Sequence, residues 1–280
     1  MKKIILLFLI ALAFLPAGNS QIKNSILVAA YNLRYANSND GINSWTNRKD
    51  QVKGLIQFHN FDIFGTEEGL MEQLNDIAQL KQYAFIGEGR DGGIKGEHSA
   101  IFYRKTRFKL LDSGNFWLSE TPEKPSYGWD AKHCRRICSW GKFKDLQSNK
   151  EFCFFCVHFD NEGIEAQRQS AKLMVRKIKE IAKNIPAICV GDFNSTPETE
   201  QIACMQTLLN DAYKISQQLP YGPLGTFNGF KFNEPPAKER IDYIFVSKQI
   251  KILKYGVLTD SYEQKYPSDH FPIVAEIVNY

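Results

Sequence analysis

Two short runs concentrate reactive side chains: Gly191-Asp192-Phe193-Asn194 and Ser268-Asp269-His270. Asn32, Glu68, His158 with Asp160, and Asp242 add further acid, amide and imidazole groups. Hydrolysis of a phosphate ester needs an electrophilic clamp on anionic oxygens, an activated water and a stabilised leaving oxygen. Hard cations take carboxylate and amide oxygens, so Asn32, Glu68 and Asp269 are expected to hold Mg²⁺, with Mn²⁺ as an alternative. Asp192 is the candidate base for the water. His270 is expected as an imidazolium on a phosphoryl oxygen, with Asp242 keeping it charged and oriented. Taken singly these signals are weak, because an Asn or Asp after a strand is usually a turn residue. The weight lies in the set.

The elements around these residues explain why they form a set. Apolar and β-branched content predicts strands over Ser25–Tyr31, Asp62–Gly65, Tyr83–Ile86, Ser99–Arg104 and from Arg107 to about Leu118. Further strands are expected over Ile137–Lys144, Glu151–Phe159, Ala187–Val190, Ile241–Val246, Lys251–Val257 and Ile273–Val278. Helical periodicity marks Arg48–Phe58, Leu70–Leu80, Gln167–Ala182 and Glu198–Leu209. Residues 119–135, with Pro122, Pro125 and Gly128, read as a long loop. Strands outnumber helices, which suggests two packed sheets with helices outside them. Each reactive residue then falls at a strand end, where a rigid sheet can hold it.

In order along the chain stand Tyr31-Asn32, Thr66-Glu67-Glu68, Val157-His158-Phe159-Asp160, Gly191-Asp192-Phe193-Asn194, Arg240-Ile241-Asp242-Tyr243 and Ser268-Asp269-His270. This ordered set resembles the endonuclease/exonuclease/phosphatase superfamily, the deoxyribonuclease-I-like proteins. Gly87–Gly92, Phe116–Ser119, Arg136 and Thr226–Phe230 are similar to secondary signatures of bacterial members near the deadenylase and nocturnin branch. The resemblance covers residues 25–280 and implies an α/β/β/α sandwich, two central mixed sheets flanked by helices. It implies metal binding at Asn32 and Glu68, with Asp269 auxiliary. It also implies water activation by Asp192, a phosphate or transition-state contact from Asn194, and catalytic roles for His158, Asp242 and His270. Arg34 stands where some nucleases carry an acid, which weighs against a second metal on that side.

The start of the chain has a different character. Lys2 and Lys3 precede an apolar run from Ile4 to Leu15, and Pro16 and small residues to Ser20 follow. This is the secretory pattern, in a run shorter than the ~20 residues a bilayer span needs. Residues 1–20 are therefore expected as a signal peptide and 21–280 as the catalytic domain, exported to the periplasm or beyond. Of the formal net charge of +4, Lys2 and Lys3 supply two units. No long basic block appears, which lowers the odds of a grip on duplex nucleic acid. Six cysteines match no zinc spacing. Cys153, Cys156, Cys189 and Cys204 read as buried thiols, and Cys134 and Cys138 are the likeliest to pair or to lie near the surface.

Substrate selection is expected from Arg90, Trp129, Arg136 and Phe227, aromatic and basic groups able to stack on a ring or pair with phosphate. The expected function is a divalent-metal phosphoric-ester hydrolase, a phosphodiesterase or phosphomonoesterase, acting on a small phosphorylated molecule. A secreted nuclease is the alternative. A non-catalytic binding module predicts a broken constellation, which this sequence does not have. No protein partner is implied, and a monomer is expected.

Overall fold

The computed structural model describes residues 25–235 and 238–280; residues 1–20, expected as a signal peptide, lie outside them. Its strands are β1 (Ile26–Asn32), β2 (Ile63–Gly69), β3 (Tyr83–Ile86), β4 (His98–Arg104), β5 (Phe108–Trp117), β6 (Ile137–Asp145), β7 (Glu151–His158), β8 (Ala187–Asp192), β9 (Leu209–Asp211), β10 (Asp242–Ser247), β11 (Lys251–Val257) and β12 (Ile273–Val278). The helices are α1 (Trp45–His59), α2 (Met71–Ala78), α3 (Ile164–Ala182), α4 (Glu200–Gln206) and α5 (Ala212–Ile215). A six-stranded sheet runs β11-β12-β1-β2-β4-β3, and a second runs β5-β6-β7-β8-β10-β9.

Alternation along each strand decides what packs where. Ile26, Val28 and Ala30 of β1 point into a core shared with Phe154 and Cys156 of β7, Ile188 and Val190 of β8, and Ile244 of β10. That core lies between the two sheets. The intervening residues Ala29 and Tyr31 face Val52, Leu55 and Ile56 of α1. On the far side, Cys153, Phe155 and Val157 of β7 meet Ala171, Met174 and Ile178 of α3. Both faces of the central strands are thus buried, which is why they read as unbroken apolar runs. The layers are helix, sheet, sheet, helix, as the sequence suggested.

Among the described residues, two of the strand pairs are parallel: β1 with β2, and β7 with β8. Each is joined by a crossover helix, α1 or α3. Parallel strands finish at the same edge, so Asn32 lies in register with Glu67, and His158 with Asp192. The antiparallel partner β10 begins at that edge, with Asp242 opposite Asp192. One rim therefore receives a pair of strand ends from each sheet.

Three local features differ from the sequence expectation. Glu68 lies within β2 and not after it, at an irregularity between Thr66 and Gly69, with φ of 62°. The helix expected to reach Leu209 stops at Gln206, and Leu209–Asp211 pairs with β10 as an edge strand. All six cysteines are free, but Cys138, expected to pair or lie near the surface, is fully buried, and Cys204, expected buried, is half-buried. The expected loop between β5 and β6 docks on α3. Asp130 accepts hydrogen bonds from the backbone N–H groups of Ala166 (2.6 Å) and Glu165 (3.1 Å), so it ties the loop to orphan donors of the helix start.

Candidate active site

Asp192 is the hub of the rim. Its Oδ1 accepts the backbone N–H of Asn194 at 2.8 Å, and its Oδ2 accepts Nδ2 of Asn32 at 3.1 Å. Nε2 of His158 lies 3.5 Å from Oδ2, and Nε2 of His270 lies 3.8 Å from it. Asn194 adopts φ of 44°, a left-handed conformation that Asn tolerates better than most residues, and this turns its side chain back toward His158. Burial pushes the Asp192 carboxyl up to about 7, and the charge of Asp242 adds to that rise.

The two histidines are held in opposite states. Burial lowers the His158 pKa well below its ordinary value, and the charge of Arg136 lowers it further. The Asn194 Nδ2 donates to His158 Nε2 at 3.0 Å, a shorter contact than the one to Asp192, so that nitrogen is an acceptor on a neutral ring. His270 behaves the other way. Burial alone would lower its pKa, but the charge of Asp242, the hydrogen bond to it, and Asp192 and Asp269 together raise it well above the ordinary value. Nδ1 of His270 donates to Asp242 Oδ2 at 3.0 Å, and the edge-to-face Phe227 ring sits 5.1 Å away.

Asn32 bridges the two halves of the site. Its Nδ2 donates to Glu68 Oε1 as well as to Asp192, and its Oδ1 accepts the backbone N–H of Arg34 at 2.9 Å. The residue expected among the metal ligands thus aligns two carboxylates. Ser268 links β1 to the next run: its hydroxyl donates to the Asn32 carbonyl at 2.6 Å. The Thr226–Gly229 segment is stitched beside it, with Asn228 N–H donating to the Asp269 carbonyl at 2.7 Å and Phe271 N–H to that of Thr226 at 2.7 Å. The Thr226 hydroxyl accepts the N–H groups of Ile241 and Asp242, fixing the start of β10.

A cleft of about 320 Å³ opens above this arrangement. Glu68, His158, Asp192, Asn194, Asp269 and His270 line it, and so do Arg90, Arg136 and Phe227. Asp242 and Asn32 are buried behind the lining. Trp129 is the exception among the expected substrate contacts. Its ring packs against the outer core between the second sheet and α3, and its backbone N–H donates to Glu120. The docking of its neighbour Asp130 on α3 carries it away from the cleft.

Several contributors escaped sequence reading. Tyr35, Glu97, Cys134 and Asn161 also line the cleft. Arg48 is buried and donates to the carbonyls of Leu33, Arg34, Asn43 and Pro267, so it holds the segment after β1 against the segment before Ser268. Its position inside a helix, four residues before Val52 on the buried stripe, was the available signal.

The donor chemistry fits a hard divalent cation at Glu68 and Asp269. Burial raises the Asp269 pKa and the like charge of Glu68 adds to the rise, against the opposing charges of His270, Arg34 and Arg48, so a cation shared by the two carboxylates would relieve that cost. Arg34, 4.0 Å from Asp269, is already paired with Asp40 at 2.9 Å. Donor atoms of Asp192, Asp242 and His270 also lie within 4.8 Å of one another. That group is a poorer cation site, because its imidazole is held protonated by Asp242 and has no lone pair to give.

Solved structures show the same arrangement of chain. A mannosyl-6-phosphatase of Bacteroides thetaiotaomicron superposes with a TM-score of 0.86 at 44% identity, covering 90% of this chain and 99% of that one. An endonuclease/exonuclease/phosphatase family protein from Bacteroides vulgatus gives 0.87 at 40% identity, with 92% and 100% covered. The catalytic domain of human nocturnin shares the fold at 22% identity, with a TM-score of 0.72 over 91% of this chain and 94% of that one. An uncharacterised protein of Acanthamoeba polyphaga mimivirus is 30% identical over 233 residues, 77% of this chain and 76% of that protein. Residues 29–270 match the Endonuclease/Exonuclease/phosphatase family, and the chain belongs to this family of phosphoester hydrolases.

Proposed function

We propose that the protein is an exported, divalent-cation-dependent phosphomonoesterase that removes phosphate from a small sugar phosphate. The observation that carries this reading is the convergence of Asn32, Asn194, His158 and His270 on the Asp192 carboxylate at the floor of a small cleft. The mannosyl-6-phosphatase relative supports a sugar as the phosphate carrier. The leader pattern of residues 1–20 supports export.

Each residue has a part that its surroundings define. Asp192 orients the attacking water and takes its proton; a pKa near neutrality suits a general base. Its two oxygens are fixed by Asn32 and by the Asn194 backbone, so the lone pair that receives the proton has a set direction. His270, charged and locked by Asp242, donates from Nε2 to a phosphoryl oxygen. Asn194 and the neutral His158 complete the polar wall on the opposite side. Glu68 and Asp269 would hold the cation, with Asn32 aligning Glu68. Bound there, Mg²⁺ or Mn²⁺ would supply neutralising charge to the phosphoryl oxygens.

A small substrate is favoured over a polynucleotide by the way the cleft's arginines are balanced. Arg34 pairs with Asp40 and Arg90 with Glu97, while Arg136 lies 3.6 Å from Asp160. A polynucleotide groove depends on cations that are free to replace counterions along many phosphates. The test is a phosphate-release panel on purified protein with Mg²⁺ or Mn²⁺, covering sugar phosphates, nucleotides, an aryl phosphodiester and single-stranded DNA. Release from sugar phosphates that stops with EDTA is expected. Cleavage of DNA without phosphate release from any monoester would overturn the reading.

A further inference from the structure

Outside the catalytic groups, the most organised part of the cleft wall is the loop between β3 and β4. Arg90 N–H donates to the Glu97 carbonyl at 2.8 Å, Gly89 N–H to that of Gly93 at 2.7 Å, and Asp91 N–H to that of Lys95 at 3.1 Å. A Cβ on Gly89 would stand 2.0 Å from the Lys95 carbonyl oxygen, so the two strands of the loop approach as closely as backbone allows. The loop is also tied from outside. Trp117 Nε1 donates to the Arg90 carbonyl at 2.7 Å, and Arg135 pairs with Asp91 at 2.8 Å.

This frame presents an ion pair to the cleft. Nη1 of Arg90 donates to Glu97 Oε2 at 2.7 Å, and both side chains line the cleft beside Glu68, Arg136 and His158. The Glu97 side chain is only 14% exposed. Burial pushes its carboxyl up to about 7, although Arg90 opposes the rise. The loop is held by backbone bonds, the indole and the Arg135 pair, so a further buried ion pair is not required to close it. An ion pair in this setting has a desolvation cost that must be met by other contacts.

Position and charge narrow what those contacts are. A carboxylate repels phosphate, so Glu97 faces the part of the substrate that is not the phosphoryl group. It accepts from O–H or N–H donors, while Arg90 beside it donates. A nucleobase would use a stacking surface. The cleft aromatics lie elsewhere: Phe227 packs on His270, and the Tyr35 ring is covered by Arg34 at 4.5 Å. Adjacent acceptor and donor groups without a stacking ring suit neighbouring hydroxyls on a sugar.

Resting on the sugar-phosphate reading above, we infer that Glu97, clamped by Arg90, is the specificity-determining residue and accepts a hydrogen bond from a ring hydroxyl of the sugar. The experiment compares kcat/KM for mannose 6-phosphate with that for 4-nitrophenyl phosphate, which lacks hydroxyls, in wild type, Glu97→Gln and Arg90→Lys. Assayed above pH 7, where the Glu97 carboxyl is ionised, a hydroxyl bonded to it predicts that the sugar-over-aryl ratio falls about 10- to 100-fold in Glu97→Gln, carried mainly by KM. Arg90→Lys keeps the charge but loses the planar fork, and the ratio falls in the same direction by less. Melting temperatures identify any variant that is unfolded, and the other then decides. Equal losses on both substrates, or an unaltered ratio, would overturn the inference while leaving the functional reading intact. Wild-type protein that hydrolyses the aryl ester but no sugar phosphate would instead remove the functional reading, and this inference with it.

Discussion

The Asp242 carboxylate sits behind His270 and accepts its Nδ1–H at 3.0 Å, with both groups buried and only the imidazole reaching the cleft. Asp242 occupies the first position of β10, opposite Asp192 in register, so the pairing of two strands sets the distance between the two carboxylates. The relationship favours the charged form of His270.

The first prediction concerns that charge. Asp242→Asn removes the largest contribution that raises the His270 pKa, leaving burial, which lowers it, opposed only by the smaller effects of Asp192 and Asp269. A step needing the imidazolium persists in wild type as pH rises toward a high folded-state pKa. In the variant its alkaline limb moves to lower pH. Phosphate release at neutral pH should fall by about 10²–10⁴-fold, the usual share of acid–base groups. A wild-type pH profile in the variant would remove His270 from this role.

The second prediction separates cation binding from turnover. Glu68 raises the Asp269 pKa by like charge, so Glu68→Gln relieves repulsion in the cation-free protein. Its melting temperature without metal should equal or exceed that of wild type. Its calorimetric affinity for Mg²⁺ should weaken by at least about tenfold, since even outer partners of a ligand carry such effects. The Mg²⁺-induced rise in melting temperature should shrink accordingly. Undiminished Mg²⁺ affinity would remove Glu68 from the ligand set.

Much of the site was legible because strands buried on both faces read as apolar runs, and reactive residues at their ends stand out. His158 after Phe152–Val157 and Asp192 after Ala187–Val190 are of this kind. Glu97 was not legible. It belongs to no periodic element, and it reaches the cleft only because the neck of the β3–β4 loop places it opposite Arg90. Trp129 misled for a related reason. An aromatic in a loop rich in basic residues suggests stacking, but Asp130 anchors that loop to the start of α3 and the ring follows. Short edge elements such as β9 and α5 carry too few residues for a period to register. Local composition cannot report a contact made by a residue distant in sequence.

Gly191 yields a third prediction. It adopts φ of 147°, and a Cβ there would stand 1.9 Å from the Val157 carbonyl oxygen. Val157 and Gly191 are register partners in the parallel pair that carries His158 and Asp192. Gly191→Ala must therefore push β7 and β8 apart next to the two residues they align. Backbone strain of this kind and loss of packing should cost about 3 kcal/mol or more, read as a fall in the denaturation midpoint. Turnover should fall in the remaining folded fraction. Near-wild-type stability would mean that the strands tolerate the separation.

A fourth prediction lies away from the cleft, at Asp145. Its Oδ2 accepts the Tyr280 hydroxyl at 2.5 Å and the Ser148 hydroxyl at 2.9 Å, its Oδ1 accepts Gln147 N–H at 2.9 Å, and Arg107 lies 3.7 Å away. Burial would raise the Asp145 pKa, but these donors outweigh it and hold the value below the ordinary 3.8. A carboxyl with a depressed folded-state pKa contributes stability that is complete above its unfolded value. That contribution is lost as pH falls through the folded one. Asp145→Asn should lower stability at pH 7 by about 1.5–3 kcal/mol, the range for hydrogen bonds to a charged group. The stability difference between wild type and variant should narrow as pH falls below the ordinary Asp range. Chemical denaturation of both proteins between pH 3 and pH 7 provides the check. A difference that stays constant across that range would show that shape, and not charge, is what Asp145 supplies to the turn.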